Sequence, residues 1–196
     1  MTDNSTTRQR RQRVDAQRNI NALLEAAKTA FATSGVDVPA KEITALAGVG
    51  VGTLYRHFPR RSDLIVAVLR REIDACADAG PALSAIHEPT NALTQWLHQY
   101  STFVATKRGL ATALHSGDPA FDTLPSYFFE RLGPVLSDLL DAATSTGEIR
   151  ADVSAKDLLT AISLLCHPAP DTEPDYSQRM VGLLIDGLRN TEPAQP

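Results

Sequence analysis

The sequence has few cysteines and no long apolar run. Only two cysteines, Cys76 and Cys166, occur in 196 residues. Two are too few for a disulfide framework or a cysteine metal cluster, so reduced, semi-buried thiols are predicted. No stretch approaches the roughly 18–20 apolar residues that span a bilayer. No apolar leader follows the polar N-terminus, and a cytoplasmic protein is therefore expected.

Sequence motifs of common enzyme classes are also missing. The chain contains neither G-x-S-x-G nor H-E-x-x-H, which would indicate a hydrolase nucleophile or a zinc site. Outside the first third, the histidines stand at 87, 98, 115 and 167, without the spacing of metal ligands. We therefore expect no enzyme activity, no metal and no cofactor.

Positive charge is concentrated in the first third of the chain. Residues 1–71 contain 12 Lys and Arg against 6 Asp and Glu, whereas residues 72–196 contain 7 against 17. This asymmetry favours contact of the first third with a polyanion, although charge alone leaves a solubilising role equally open. Residues 1–14, which include Arg8, Arg10, Arg11 and Arg13, are predicted to form a basic mobile arm, more often solvated than bound to DNA.

Apolar residues recur at helical spacing throughout, and no alternating run predicts a strand. In the first helix the apolar stripe includes Leu23, Ala27 and Phe31, with Asp15 as its cap and Gly35 as its stop. The predicted helices occupy 15–34, 39–47, 51–58, 61–79, 89–106, 108–115, 122–145, 154–167 and 175–189. Gly80-Pro81 is predicted to end the fourth.

The stretch GVGVGTLYRHF, residues 48–58, allows two interpretations. A dinucleotide-binding loop needs G-x-G-x-x-G after a strand, but these glycines read G-x-G-x-G after a helical segment in which Ile43 and Leu46 are expected to face inward. A helix-turn-helix fits better. Gly48 would end one helix, Gly50 would cap the next, and Gly52 would allow close approach to DNA.

Residues 17–71 resemble the N-terminal DNA-binding domain of TetR-family transcriptional regulators. LLEAAKTAFATSG (23–35) and EITALAGVGVGTLYRHFPRRSDLI (42–65) carry the resemblance. It implies an all-α fold with an N-terminal three-helix helix-turn-helix head and a C-terminal helical bundle that binds a ligand and dimerises. The expected divisions are the head at 15–60, a linking helix at 61–80, the ligand-binding and dimerisation domain at 81–190 and a tail at 191–196.

The resemblance also implies the residues that contact DNA. They are Lys41, Gly50, Val51, Gly52, Thr53, Tyr55, Arg56, His57, Arg60 and Arg61. Gly50-Val51 replaces the Ser-Lys pair common in the family, so Val51 is predicted to contact a thymine methyl group. Arg60 stands where a capping Ser is common, which leaves open a weaker cap or a contact with DNA. Tyr55 and His57 could instead serve only the head's own packing and capping, and Arg60 and Arg61 could be plain surface charges.

Two further sets of residues are expected in the C-terminal part. The effector pocket is assigned to Trp96, Tyr100, Phe103, Leu114, His115, Phe121, Tyr127, Phe128 and Arg131. The dimer interface is assigned to Leu158, Leu159, Ile162, Leu165, Leu183, Leu184 and Leu188. Each aromatic could instead simply fill the core, and the last two helices could pack only within their own chain.

Together these expectations describe a dimeric, ligand-responsive repressor. It would bind double-stranded DNA at a palindromic operator as a homodimer, away from any membrane, and a small-molecule effector would release it. The alternative is a helical small-molecule-binding or adaptor protein that does not read DNA.

Overall fold

The protein is built from α-helices. The computed structural model describes the backbone of residues 3–106, 114, 116–166 and 175–190, and the side chains of the same residues except 3–13 and 106. The helices of these ranges are α1 (Asp3–Ser34), α2 (Ala40–Ala47), α3 (Val51–His57), α4 (Arg61–Ser84), α5 (Pro89–Thr106), α6 (Leu124–Ser145), α7 (Ala155–Leu165) and α8 (Tyr176–Asp186). Extended pairing within the described residues is limited to an isolated bridge between Ile149 and Arg189. The all-α prediction is confirmed.

Helix α1 is longer than the sequence pattern predicts. It begins at Asp3 and not at Asp15, so the predicted start was wrong and the segment expected to be a mobile arm is helical from residue 3. Residues 3–34 contain no Gly or Pro, and the Gln and Arg residues that dominate 8–13 have good helix propensity. An apolar stripe is therefore not needed for the helix to extend over its first turns.

The described residues form two compact units. The first unit contains the chain up to Leu69 together with the described residues between Gly109 and Asp122. Its core combines the stripe of α1 with residues of the next three helices, such as Leu23, Phe31, Ile43, Leu54 and Leu64. Each of the short helices α2 and α3 is therefore held by one buried face.

The buried face of α2 is not the one expected. Ile43 and Thr44 are buried, whereas Leu46 is 63% exposed, so the prediction that Leu46 faces inward was wrong. The face toward the core runs through Ala40, Ile43, Thr44 and Ala47, at i, i+3, i+4 and i+7. Thr44 fits there because its hydroxyl donates to the C=O of Lys41 at 3.1 Å.

The second unit contains the described residues of 70–108 and 123–196 and has its own core. Among its most deeply buried side chains are Trp96, Tyr100, Leu136 and Leu159, and Cys76 and Cys166 are buried with them. Among the described residues, no helix combines the length and apolar character that crossing a membrane requires.

Helix α4 does not end at Gly80-Pro81. It continues to Ser84 with Pro81 inside it. Gly80 is buried, whereas Pro81 is exposed. Pro81 lacks the N–H for one helical hydrogen bond, and the packing of buried Gly80 stabilises the helix at this point. The short helix expected at 108–115 falls almost wholly outside the described residues.

Candidate nucleic-acid interface

A tight turn joins α2 to α3. Gly48 adopts the left-handed conformation, with φ 67° and ψ 28°. Its N–H donates to the C=O of Ala45 at 3.3 Å, and the N–H of Val49 donates to the C=O of Thr44 at 3.1 Å. This is the Schellman end of a helix, which favours glycine. Gly50 then takes the extended N-cap conformation of α3, so the predicted helix end at Gly48 and helix start at Gly50 are confirmed.

Helix α3 presents one face to solvent. Leu54 and Phe58 are buried beneath it. On the opposite face Val51, Gly52, Tyr55 and Arg56 are exposed, at i, i+1, i+4 and i+5. Tyr55 is 52% exposed, which makes it a surface residue and not a core residue.

Other predicted contact residues flank this exposed face. Lys41, in the first turn of α2, is exposed, whereas Thr53 and His57 are half-buried. Together with α3 they supply ammonium, hydroxyl, phenol, guanidinium and imidazole groups, which are the usual donors to phosphate oxygens.

The first unit itself does not require a glycine at 52. Apart from its chain neighbours and the backbone of its own helix, no described heavy atom lies within 4 Å of the position that a Cβ would occupy on Gly52, and Gly50 is equally open. A helix-internal glycine is less stable than alanine by roughly 1 kcal/mol. No neighbour in the chain therefore accounts for the glycine, and its predicted role in letting DNA approach stays a prediction.

Arg60 is engaged at the start of α4. Its backbone N–H donates to Asp63 Oδ2 at 2.9 Å, and its Nη2 donates to Asp63 Oδ1 at 2.8 Å. These hydrogen bonds hold the pKa of the Asp63 carboxyl below its usual range. The carboxylate of Asp63 thus engages both the backbone and the guanidinium of Arg60 at the helix start, an arrangement that the sequence alone left undecided.

Arg61 does not face outward as a phosphate ligand would. Its Nε donates to the C=O of Val36 at 2.8 Å, and its Nη2 donates to the C=O of Val38 at 2.6 Å. Its guanidinium carbon lies 5.0 Å from the centre of the Phe31 ring. The sequence pattern did not predict this arrangement, because the two carbonyl groups belong to a loop far back along the chain.

One contact of the first unit comes from beyond α5. Asp118 caps the short 3-10 turn Pro119–Phe121 by accepting from the N–H of Ala120 at 2.9 Å. That hydrogen bond and the neighbouring hydroxyl of Ser62, in the first turn of α4, lower the pKa of the Asp118 carboxyl. Neither Ser62 nor Asp118 was singled out from the sequence, since no local pattern marks them.

The residues predicted for the effector pocket are divided between the two units. Phe121 is buried and Leu114 half-buried, both in the first unit, while His115 lies outside the described residues. In the second unit Phe103 is buried and Phe128 half-buried, with ring centres 6.3 Å and 6.0 Å from that of Tyr100.

Trp96 and Tyr100 are fully buried in the core of the second unit. Their rings stack with centres 5.6 Å apart. The Trp96 indole N–H donates to the C=O of Cys76 at 2.9 Å, and the Tyr100 hydroxyl donates to the C=O of Leu159 at 2.9 Å. With their polar atoms satisfied by the chain itself, these two residues serve the core.

A polar cluster joins α4 to α6 in the second unit. The Tyr127 hydroxyl donates to Asp74 Oδ1 at 2.6 Å, and Arg131 Nε donates to the same oxygen at 2.7 Å. The Arg70 guanidinium carbon lies 4.8 Å from the centre of the Tyr127 ring. Of the predicted pocket residues in this unit, Tyr127 and Arg131 are thus the ones with polar groups near solvent.

The residues predicted for the dimer interface are mostly internal. Leu158, Leu159, Ile162 and Leu188 are buried in the core of their own chain, which leaves little of their surface for a second copy. Leu165 and Leu184 are half-buried. Leu183 is 63% exposed, and Leu164, which was not predicted, is 71% exposed. The amphipathic pattern located α7 and α8 but did not separate the inner from the outer leucines.

These features define a helix-turn-helix DNA-binding transcriptional regulator with a second helical unit. Comparison with known proteins agrees. Residues 23–68 match the family described as bacterial regulatory proteins, tetR family. Residues 88–190 match the C-terminal domain of SbtR-like transcriptional regulators. The chain belongs to the TetR family of transcriptional regulators.

Individual relatives support this assignment. The TetR transcriptional regulator SCO0520 from Streptomyces coelicolor is 33% identical, with a TM-score of 0.72 over 88% of this chain and 99% of that one. A TetR regulatory protein from Mycobacterium vanbaalenii is 34% identical, with a TM-score of 0.70 over 91% and 99%. The HTH-type transcriptional regulator SAUSA300_2515 of Staphylococcus aureus is 26% identical over 76% of this chain and 83% of its own length.

Proposed function

We propose that this protein is a repressor that binds a palindromic operator as a homodimer and leaves it when a small-molecule effector binds. The observation that carries the proposal is the exposed face of α3, formed by Val51, Gly52, Tyr55 and Arg56. A helix of this kind reads base edges from the major groove, and two-fold related heads read two half-sites.

The proposed contacts divide by chemistry. Lys41, Thr53, Tyr55, Arg56 and His57 donate to phosphates and position the head. Gly50 and Gly52 let the helix approach closely, and Val51 contacts a thymine methyl group. Arg60 makes at most a secondary contact, because its guanidinium is hydrogen-bonded to Asp63.

The effector is proposed to act at the cluster of Asp74, Tyr127 and Arg131. Its side chains are partly open to solvent and belong to both α4 and α6. Helix α4 begins in the first unit and continues into the second. A ligand that competes for Arg131 or Tyr127 would free Asp74 and favour a position of α4 that fits DNA poorly.

The homodimer is proposed to form through the outer faces of α7 and α8. Leu164 and Leu183 support this placement because they are large apolar side chains left mostly exposed. Beside Leu183 an open groove of about 340 Å³ is lined by Leu158, Leu184 and neighbouring residues of both helices. Burying such side chains against a second copy would favour association.

Selection from a random double-stranded DNA library tests the central claim. The purified protein should enrich a palindromic motif, and its affinity for that motif should fall steeply with salt, with a slope of about −0.9 per phosphate neutralised. Recovery of no motif, or a flat salt response, would favour the adaptor alternative. For the effector, compounds that raise the melting temperature should also weaken operator binding.

A further inference from the structure

The first residue of α4 is hydrogen-bonded to the connection between α1 and α2. Val36 and Val38 lie in the short stretch between Ser34 and Ala40, and Arg61 is the first residue of α4. Carbonyl groups in such a stretch have no helical partner, and buried ones need a donor. Arg61 supplies that donor to both Val36 and Val38.

The charge of Arg61 is thus directed into the protein. Nε and Nη2 form one of the guanidinium edges that can bind a phosphate with two parallel hydrogen bonds, and here both bind carbonyl oxygens. Phe31 covers one face of the group. Burial lowers the pKa of Arg61, yet an arginine stays charged, so its donors need these acceptors.

The loop that Arg61 grips leads directly into α2. Lys41 lies in the first turn of α2, and α2 continues through the turn at Gly48 into α3. Where α2 starts relative to α4 therefore decides where the exposed face of α3 points. We propose that Arg61 is a positioning residue for DNA binding, which sets the α2–α3 pair against the start of α4 and makes no phosphate contact of its own.

Substitution by lysine separates this role from a phosphate contact. Lysine keeps the charge but lacks the planar fork that reaches two carbonyl groups at once. If Arg61 positions the head, R61K should weaken binding to the selected operator about tenfold or more, since hydrogen bonds to a charged group are lost. The slope of log Kd against log salt should stay as in the wild type, because the number of phosphates contacted is unchanged.

Arg56 offers the matched control, because it is exposed on α3. R56A should lower the salt slope by about 0.9, because Arg56 is proposed to contact a phosphate. All proteins are assayed at 10 °C after circular dichroism has shown them folded. This inference rests on the proposed function, and the wild-type arm tests that function separately: a wild type that binds no DNA refutes the function and not the role of Arg61.

Three results would overturn the positioning role. The first is that folded R61K binds the operator as tightly as the wild type. The second is that R61A has a salt slope lower than that of the wild type by about 0.9. The third is that residues 36–58 of R61K exchange their amide hydrogens as slowly as those of the wild type. The hydrogen-exchange measurement needs no DNA. We expect R61K to exchange faster than the wild type in residues 36–58 and equally in α5 and α6. If R61K does not fold, F31L replaces it: removal of the ring beneath the guanidinium should weaken operator binding with an unchanged salt slope, and wild-type affinity of F31L would refute the proposal.

Discussion

Gly80 of α4 lies directly against Val135 of α6, so closely that a methyl group at position 80 would overlap Val135 Cγ1. Valine is branched at Cβ and cannot swing away as a long side chain would. The overlap should therefore cost about 1–3 kcal/mol, as overpacking does. Alanine gains roughly 1 kcal/mol in helix propensity, so G80A should be destabilised by up to about 2 kcal/mol. Urea denaturation measures the difference, and a G80A variant more stable than the wild type would contradict the packing described.

Gly52 should behave in the opposite way. Its surroundings are open, so G52A should raise the free energy of unfolding by about 0.5–1 kcal/mol through helix propensity alone. If DNA approaches closely there, the same methyl group should weaken operator binding. Denaturation and fluorescence anisotropy measure the two effects. Equal stability and unchanged affinity in G52A would show that nothing depends on the glycine.

The helix-turn-helix could be predicted in detail because its determinants are local. Gly48, Gly50 and the Leu54–Phe58 spacing lie within eleven consecutive residues, and each acts through backbone conformation or one helix face. The end of α4 was misjudged because Gly80, which usually breaks a helix, here serves packing against α6. Propensity yields to tertiary contact in such cases.

Two features could not be predicted from the sequence for another reason. They are the role of Arg61 and the outer surface of α7 and α8. Arg61 is basic beside DNA-facing residues, and only the fold shows that the carbonyl groups of Val36 and Val38 lie within its reach. A stripe of leucines likewise shows that a helix face is apolar but not what covers it. Leu159 meets its own chain, whereas Leu183 is left exposed.

The exposed leucines predict how dimerisation can be broken. L183E should shift the protein toward monomer in sedimentation velocity, because each buried leucine contributes about 1.5–3 kcal/mol. Ile86 gives the control, since it is 73% exposed and lies outside α7 and α8, so I86E should leave the oligomeric state unchanged. Equal behaviour of the two variants would place the interface elsewhere.

Stability at high pH should depend on Tyr100. Burial raises the pKa of its phenol well above the ordinary value, so the folded chain keeps a proton that the unfolded chain loses above about pH 10. The stabilisation is complete below that pH and declines as pH rises through the folded pKa. Y100F should cost about 1–3 kcal/mol at pH 7, because the hydrogen bonds to Leu159 and Ser163 are lost.

The same substitution should flatten the alkaline decline. Urea denaturation at pH 7 and pH 10.5 tests both effects. Tyr127 serves for comparison, because its pKa is raised mainly by the hydrogen bond to Asp74 and its side chain is only half-buried. An equally steep alkaline decline in Y100F would show that Tyr100 is not the group responsible.

The contact of Val51 with a thymine methyl group can be tested by altering one group on each side. Replacing the thymine by deoxyuridine removes only the methyl group, and V51A removes two methyl groups from the protein. Each change alone should weaken operator binding by about 1 kcal/mol. The two changes together should weaken it by little more than a single change does, because both remove the same contact. Anisotropy titrations of the four combinations give the coupling energy. Additive losses, or an operator that tolerates deoxyuridine at every thymine, would exclude Val51 from base recognition, and the preference would then rest on the polar groups of α3 and on Lys41.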